Sequence, residues 1–207
     1  MYYNNYTLPL VKEINPFSPI ILKASYKDFN TPSIKSFLED IKKLKPKTDT
    51  NWSTGDSFDE NKIPHLNPAF KKFYDWLNPI IMDTIINKFG YDSKMEYALY
   101  NSWINLHQPG GETATHHHGP SIISVAAYLY MPTNGGYIEF KDPLEYQRGF
   151  YPTEIDDEFI NWKELPTITG DVVMFPGWLR HRTQKNKSAE NRWVLTTNYI
   201  CTNILKK

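Results

Sequence analysis

His116, His117 and His118 gather half of this chain's six histidines into one tract, immediately ahead of the apolar run Ser121–Met131. Along an extended chain, side chains at i and i+2 share a face, so His116 and His118 point one way and His117 the other. Two imidazoles on one face suit a metal ion, while a short His-rich tract is equally consistent with a solvated turn. His181 lies 63 positions after His118, behind Gly170-Asp-Val-Val-Met-Phe-Pro176. Neutral imidazoles suit Fe, Cu, Ni or Zn, and three ligands on one side leave positions open for substrate and oxygen. Arg192 then heads the strand-like segment Trp193–Tyr199. A buried guanidinium calls for a carboxylate, either an internal Asp or Glu in a structural salt bridge or a ligand gripped by its fork.

These residues need elements to hold them, and the order of elements is readable. Leu8 to Leu22 is broken by Pro9, Pro16 and Pro19 and reads as an extended opening strand along a sheet edge. Thr31-Pro32 then offers a hydroxyl cap and a first-turn proline, and Ile34, Phe37, Leu38, Ile41 and Leu44 follow at helical spacing up to Lys45. Its lysine-rich end reads as a solvated helix terminus. Pro46 to Leu66 is polar and without period, hence a loop, with Trp52 and a locally packed or solvated His65. A second helix opens at Asn67-Pro68 and stops near Gly90, with Pro79 a kink or a new start.

From Met95 the character changes to strands: Met95–His107, Ser121–Met131, Tyr137–Phe140, Thr167–Phe175 and Arg192–Thr202. Pro132-Thr-Asn-Gly-Gly136 reads as the turn of a hairpin joining the second and third of these. Leu144 to Leu165 is acidic and irregular. Two helices followed by about seven strands predict an α+β, mainly β fold, a sandwich or barrel with the helices on one outer face. We expect one domain over 1–207, with 1–94 a supporting N-terminal part and 95–207 the β core.

Composition narrows the partners. Lys+Arg and Asp+Glu balance at 23 each, which lacks the basic footprint of nucleic-acid binding. A lone Cys201 permits no internal disulfide and suits a reducing compartment. There is no run of apolar residues of membrane-spanning length and no signal-peptide layout at Met1-Tyr-Tyr-Asn-Asn-Tyr6, so the expectation is a cytoplasmic protein that engages no membrane.

The order of motifs resembles the Fe(II)/2-oxoglutarate-dependent oxygenase superfamily. The matching pieces are His116-His-His118-Gly-Pro120, an apolar strand ending Tyr128-Leu129, Gly135-Gly-Tyr-Ile-Glu-Phe140, Gly170-Asp-Val-Val-Met-Phe-Pro176, His181 and Arg192. A branch found in bacteria and phages and related to prolyl hydroxylases is more similar still, through Ser124 to Leu129 and Phe175-Pro-Gly-Trp-Leu-Arg-His181. The likeness extends to Asn15-Pro-Phe-Ser-Pro-Ile20 and Ser102-Trp-Ile-Asn105, and so covers most of the chain.

The resemblance implies a double-stranded β-helix, or jelly roll. It makes His116 and His181 iron ligands, Arg192 the partner of the distal carboxylate of 2-oxoglutarate, and Tyr128 that carboxylate's second contact. Thr196 on the face of Arg192, with Trp103 and Asn105 on a neighbouring strand, would line the pocket by alternation. Most of the superfamily carries His-x-Asp or His-x-Glu, whereas the third residue here is His118. His118 is taken as the third ligand, with Glu112 or Glu139 as alternative carboxylates. The implied activity is hydroxylation of a small molecule, peptide or protein, with Fe(II), 2-oxoglutarate and O2, and a prolyl residue is the lead substrate. Two other readings stay open: a cupin-like three-histidine dioxygenase without 2-oxoglutarate, and a non-catalytic jelly-roll binding module. The compartment would be the cytoplasm, or the host's if the chain is phage-encoded.

Overall fold

A computed structural model describes residues 19–43, 48, 50–55, 59–144 and 162–203. The opening segment before residue 19, Leu44, Lys45 and the acidic stretch 145–161 lie outside the described residues.

Local chemistry forms both helices where the sequence places them. Helix α1 spans Pro32–Lys42, and Thr31 Oγ1 accepts from the Ile34 amide at 3.3 Å. Its Ile34, Phe37 and Ile41 are buried. Asn67 caps a short 3-10 turn, Pro68–Phe70, accepting from the Ala69 amide at 3.0 Å. Helix α2, Lys71–Asp83, follows, runs through Pro79, and widens into a π turn over Thr84–Lys88. Gly90, at φ 74°, ends it.

Among the described residues nine strands follow or flank these helices: β1 Leu22–Ser25, β2 Asn51–Ser53, β3 Tyr97–His107, β4 Ile123–Tyr130, β5 Ile138–Lys141, β6 Trp162–Leu165, β7 Asp171–Pro176, β8 His181–Thr183 and β9 Arg192–Cys201. Six form one sheet in the order β1-β7-β4-β9-β3-β2, and three form a second in the order β6-β5-β8. β1 is thus an edge strand, and it begins where the predicted opening strand ends. The polar segment 46–66 is not loop throughout: β2 pairs with β3, placing Trp52 opposite Leu106.

Period-two alternation divides the large sheet into two faces. Ile104, Leu106, Ile123, Val125, Ala127, Val172, Met174 and Leu195 pack against Phe37, Ile41, Phe73, Leu77 and Ile81 of the helices. Truncating one such side chain, for example Leu77→Ala, costs about 2–5 kcal/mol. Ala126, Tyr128, Val173, Phe175 and Val194 face the other way and meet Ile138 and Phe140 of the small sheet. The result is a jelly roll of two facing antiparallel sheets, not closed into a barrel, with both helices on the outer face of the larger one.

The hairpin expected at Pro132–Gly136 does not form. β5 pairs with β6 and β8, while β4 already has β7 and β9 on its two edges. With no free edge on β4, the turn carries the chain from one sheet to the other.

Candidate metal centre and adjoining cavity

The histidine tract is not a regular strand, yet its alternation survives. His116 forms an isolated antiparallel bridge with His181, each amide donating to the other's carbonyl at 3.0 Å. The His118 amide donates to Gly177 O at 2.9 Å, so the β7–β8 turn holds the tract at a second point. His117 is exposed. This backbone register brings one nitrogen from each of His116, His118 and His181 within 4.8 Å of one another. Nε2 of His118 and Nε2 of His181 are 3.2 Å apart.

Their environment suits metal ligation. The Nδ1 atoms of His116 and His181 face the carbonyl oxygens of Ala114 and Leu179 at 2.8 and 2.9 Å. A carbonyl only accepts, so in the neutral rings the proton sits on Nδ1 and the Nε2 lone pair is free. Burial holds all three imidazoles neutral, pushing His118 down to about 4 and His181 to about 3, with neighbouring histidines adding to the effect; His116 is lowered for the same reason. The Phe175 ring packs on His181 at 4.7 Å between centroids, and Trp103 lies 5.5 Å from His118.

No carboxylate joins this cluster among the described residues. Glu139 is engaged elsewhere, accepting from Arg182 Nε at 2.6 Å and Gln184 Nε2 at 3.0 Å. Glu112 lines the cavity next to the triad without joining it.

That cavity, of about 600 Å³, lies against the inner face of the large sheet. The pleat aims Trp103, Asn105 and His107 of β3, Ala126 and Tyr128 of β4, and Val194 and Thr196 of β9 into it. Asn105 Nδ2 donates to Thr196 Oγ1 at 3.3 Å across the β3–β9 pair. Trp52 lines the opening from β2, whereas Trp178 is half exposed and outside the lining. His65 is a packing residue, its Nδ1 2.8 Å from Ser102 Oγ.

Arg192 is fully buried and does not itself line the cavity, though its partners His107 and Thr183 do. Its Nη1 donates to the carbonyls of Gly135, Gly136 and Gln184, its Nη2 to Thr183 Oγ1 at 2.8 Å, and its Nε to His107 Nδ1 at 3.4 Å. Of the two partners left open for it, the internal salt bridge is absent among the described residues, and neutral acceptors surround the guanidinium. Burial still lowers the guanidinium to about 10, offset by Tyr128 and Glu112. Such a cation remains short of a counter-ion, the condition an anionic ligand relieves.

His107 went unnoticed in the sequence. It is buried, its Nε2 lies 2.8 Å from Thr113 Oγ1, and it is pushed down to about 3 by burial and then by the Arg192 charge. The alternation that selects Trp103 and Asn105 reaches it two residues later. Asn198, two beyond Thr196, was missed in the same way and lies 3.4 Å from His118 Nδ1 through its amide nitrogen.

Residues 101–198, just under half of the chain, match the model of a family described as "Putative 2OG-Fe(II) oxygenase". Over these residues the chain resembles a 2OG-Fe(II) oxygenase family. That family is one of oxidoreductases, and the matched segment contains the histidine cluster and all of the cavity lining except Thr48, Asn51, Trp52, Ser53 and Gly55. The structural likeness extends beyond that segment. The crystal structure of HygX from Streptomyces hygroscopicus with nickel, 2-oxoglutarate and hygromycin B bound superposes with a TM-score of 0.61 at 13% identity, covering 89% of this chain and 84% of that one. The α-ketoglutarate-dependent carbocyclase SnoK from nogalamycin biosynthesis gives 0.60 at 12% identity, over 88% and 80%. A Pseudomonas putida prolyl-4-hydroxylase gives 0.53 at 12%, over 89% and 94%. At these identities the likeness establishes the fold. No curated protein sequence matches the chain.

Proposed function

We propose that His116, His118 and His181 hold Fe(II), and that Arg192 with Tyr128 anchors the distal carboxylate of 2-oxoglutarate, in a single-domain enzyme that hydroxylates a C–H bond of its substrate. The observation that carries this reading is the convergence of three neutral imidazoles at a cavity whose lining residues His107 and Thr183 contact a buried cation without an ion pair among the described residues. When bound, iron and 2-oxoglutarate supply the oxidising chemistry, coupling loss of CO2 to hydroxylation. The chain's own share is positioning: the carbonyls of Ala114 and Leu179 orient two imidazoles, and the paired sheets keep water from the floor. Trp103, Asn105 and Thr196 shape the cavity wall. A three-histidine set carries one negative charge fewer than His-x-Asp, so Fe(II) is held more weakly and its redox tuning changes.

A prolyl residue in a peptide is the lead substrate. It is supported by fold likeness to a prolyl-4-hydroxylase, which is analogy, and by Trp52 and Trp103 at the cavity, flat surfaces for a proline ring. A small molecule is the competing class, since HygX was crystallised with hygromycin B. The site of action is taken as the cytoplasm, in keeping with the buried free thiol of Cys201; no helix among the described residues is long and apolar enough to cross a membrane. Three histidines alone would equally serve a cupin-like dioxygenase, and buried Arg192 is what favours 2-oxoglutarate.

Anaerobic addition of Fe(II) and 2-oxoglutarate should produce a weak visible charge-transfer band. A folded protein without that band would favour the cupin-like or non-catalytic readings. Succinate release against prolyl peptides and against small polyhydroxylated molecules then decides the substrate class.

A further inference from the structure

The three clustered imidazoles differ in what stands behind them. His116 and His181 back onto carbonyl oxygens, but His118 Nδ1 backs onto Nδ2 of Asn198 at 3.4 Å. An amide nitrogen only donates, so His118 Nδ1 must keep its lone pair and a neutral His118 carries its proton on Nε2. That proton points at Nε2 of His181, 3.2 Å away, whose own proton is committed to Leu179 O through Nδ1. The hydrogen bonds are mutually consistent. They also leave His118 protonated at the atom that faces the common centre.

We propose, on the three-histidine metal reading above, that Asn198 is a positioning residue that sets the tautomer of His118. Rotation of its amide presents Oδ1 to His118 Nδ1. One proton then leaves Nε2, another is taken up at Nδ1 through solvent, the ring stays neutral, and the Nε2 lone pair turns to the metal. The sheet register supplies what this rotation needs. Ser124, Asn198 and Asn101 stand in one row across β4, β9 and β3. Ser124 Oγ donates to Asn198 Oδ1 at 2.7 Å, and Asn198 Nδ2 donates to Asn101 Oδ1 at 3.0 Å.

Ser124 and Asn198 are buried, so both ends of the Asn198 amide must find protein partners in either orientation. A hydroxyl both donates and accepts, so Ser124 serves either one. Asn101 lines the cavity, where it is free to turn its own amide and donate to Asn198 Oδ1 after the rotation. The Asn198 amide therefore has two hydrogen-bonded orientations, one matched to free His118 and one to ligated His118.

Long-range 1H–15N correlation of the imidazole nitrogens tests this in the metal-free protein and with Zn(II) as a diamagnetic probe. Metal-free His118 should be the Nε2–H tautomer and should become Nδ1–H on Zn(II) addition. Asn198→Asp, which can only accept, should give Nδ1–H without metal and retain Co(II) binding. Asn198→Leu, if folded by near-ultraviolet circular dichroism, should bind Co(II) about 10- to 100-fold more weakly, the range for lost outer-shell partners. Metal-free wild-type protein already in the Nδ1–H form overturns the proposal without any variant, as does wild-type Co(II) affinity in Asn198→Leu. His118→Ala separates the two levels: loss of Co(II) there with no effect of Asn198→Leu overturns only the role of Asn198, whereas intact Co(II) binding in His118→Ala overturns the three-histidine site itself.

Discussion

Arg192 and Gly136 are fitted to each other. Nη1 of Arg192 donates to Gly136 O at 2.8 Å, and a Cβ placed on residue 136 would stand 3.0 Å from that same nitrogen. It would also come within 2.6 Å of Lys185 O and 2.7 Å of Gln184 O, on a backbone at φ +78°. The turn between the sheets is therefore a collar around the guanidinium, and glycine is what lets it close.

Gly136→Ala should disturb that collar first. The substitution combines a left-handed backbone with contact against two backbone carbonyls, which together cost about 1–3 kcal/mol. We expect a lower melting temperature and weaker 2-oxoglutarate binding with Co(II) affinity unchanged. Calorimetric titration of each ligand checks it; equal loss of both would mean that the collar does not act through Arg192.

Arg192→Ala should abolish 2-oxoglutarate binding and leave metal binding largely intact. It also strands the carbonyls of Gly135, Gly136 and Gln184, and an unsatisfied buried acceptor costs about 1–3 kcal/mol. Arg192→Lys keeps the charge but loses the fork, so it should bind more weakly than wild type while unfolding at a higher temperature than Arg192→Ala. Unchanged co-substrate affinity in Arg192→Ala would sink the assignment.

Within the histidine tract, position should outweigh identity. His117→Ala should be nearly silent in metal titrations because its side chain is exposed and outside the cluster. His116→Ala and His181→Ala should each lose metal binding. Strong metal loss in His117→Ala would mean that the tract is in the wrong register.

Acid should destabilise the metal-free protein through its buried imidazoles. His107, pushed down to about 3 from 6.5, binds its proton more readily when unfolded. Between those values the unfolded state holds more protons, so stability is fully present above about pH 6.5 and falls as pH drops toward 3. His118 and His181 act in the same direction. Urea midpoints at pH 7, 5 and 4 should decline, and His107→Gln should flatten part of that decline; identical slopes would remove His107 from the account.

Much of this was legible from local rules. Thr31-Pro32 and Asn67-Pro68 start helices by satisfying backbone amides within a few residues, which needs no knowledge of the fold. Alternation alone separated His117 from its neighbours and placed Trp103, Asn105 and Thr196 on the cavity side. The hairpin at Pro132–Gly136 failed for a non-local reason, because both edges of β4 belong to strands far away in sequence.

The sequence by itself determined which residues can share a face, where helices begin, and that His116, His118, His181 and Arg192 are the chemically unusual members of the chain. Side-chain period and capping are properties of short segments, so no tertiary contact is needed to read them. The tertiary structure decided what each of those residues meets. That Arg192 is held by the Gly136 carbonyl instead of an acid, and that His118 backs onto the Asn198 amide, follows from inter-strand register and from a turn that changes sheets. Those partners are tens of residues apart, and only the pairing of the sheets brings them within hydrogen-bond reach.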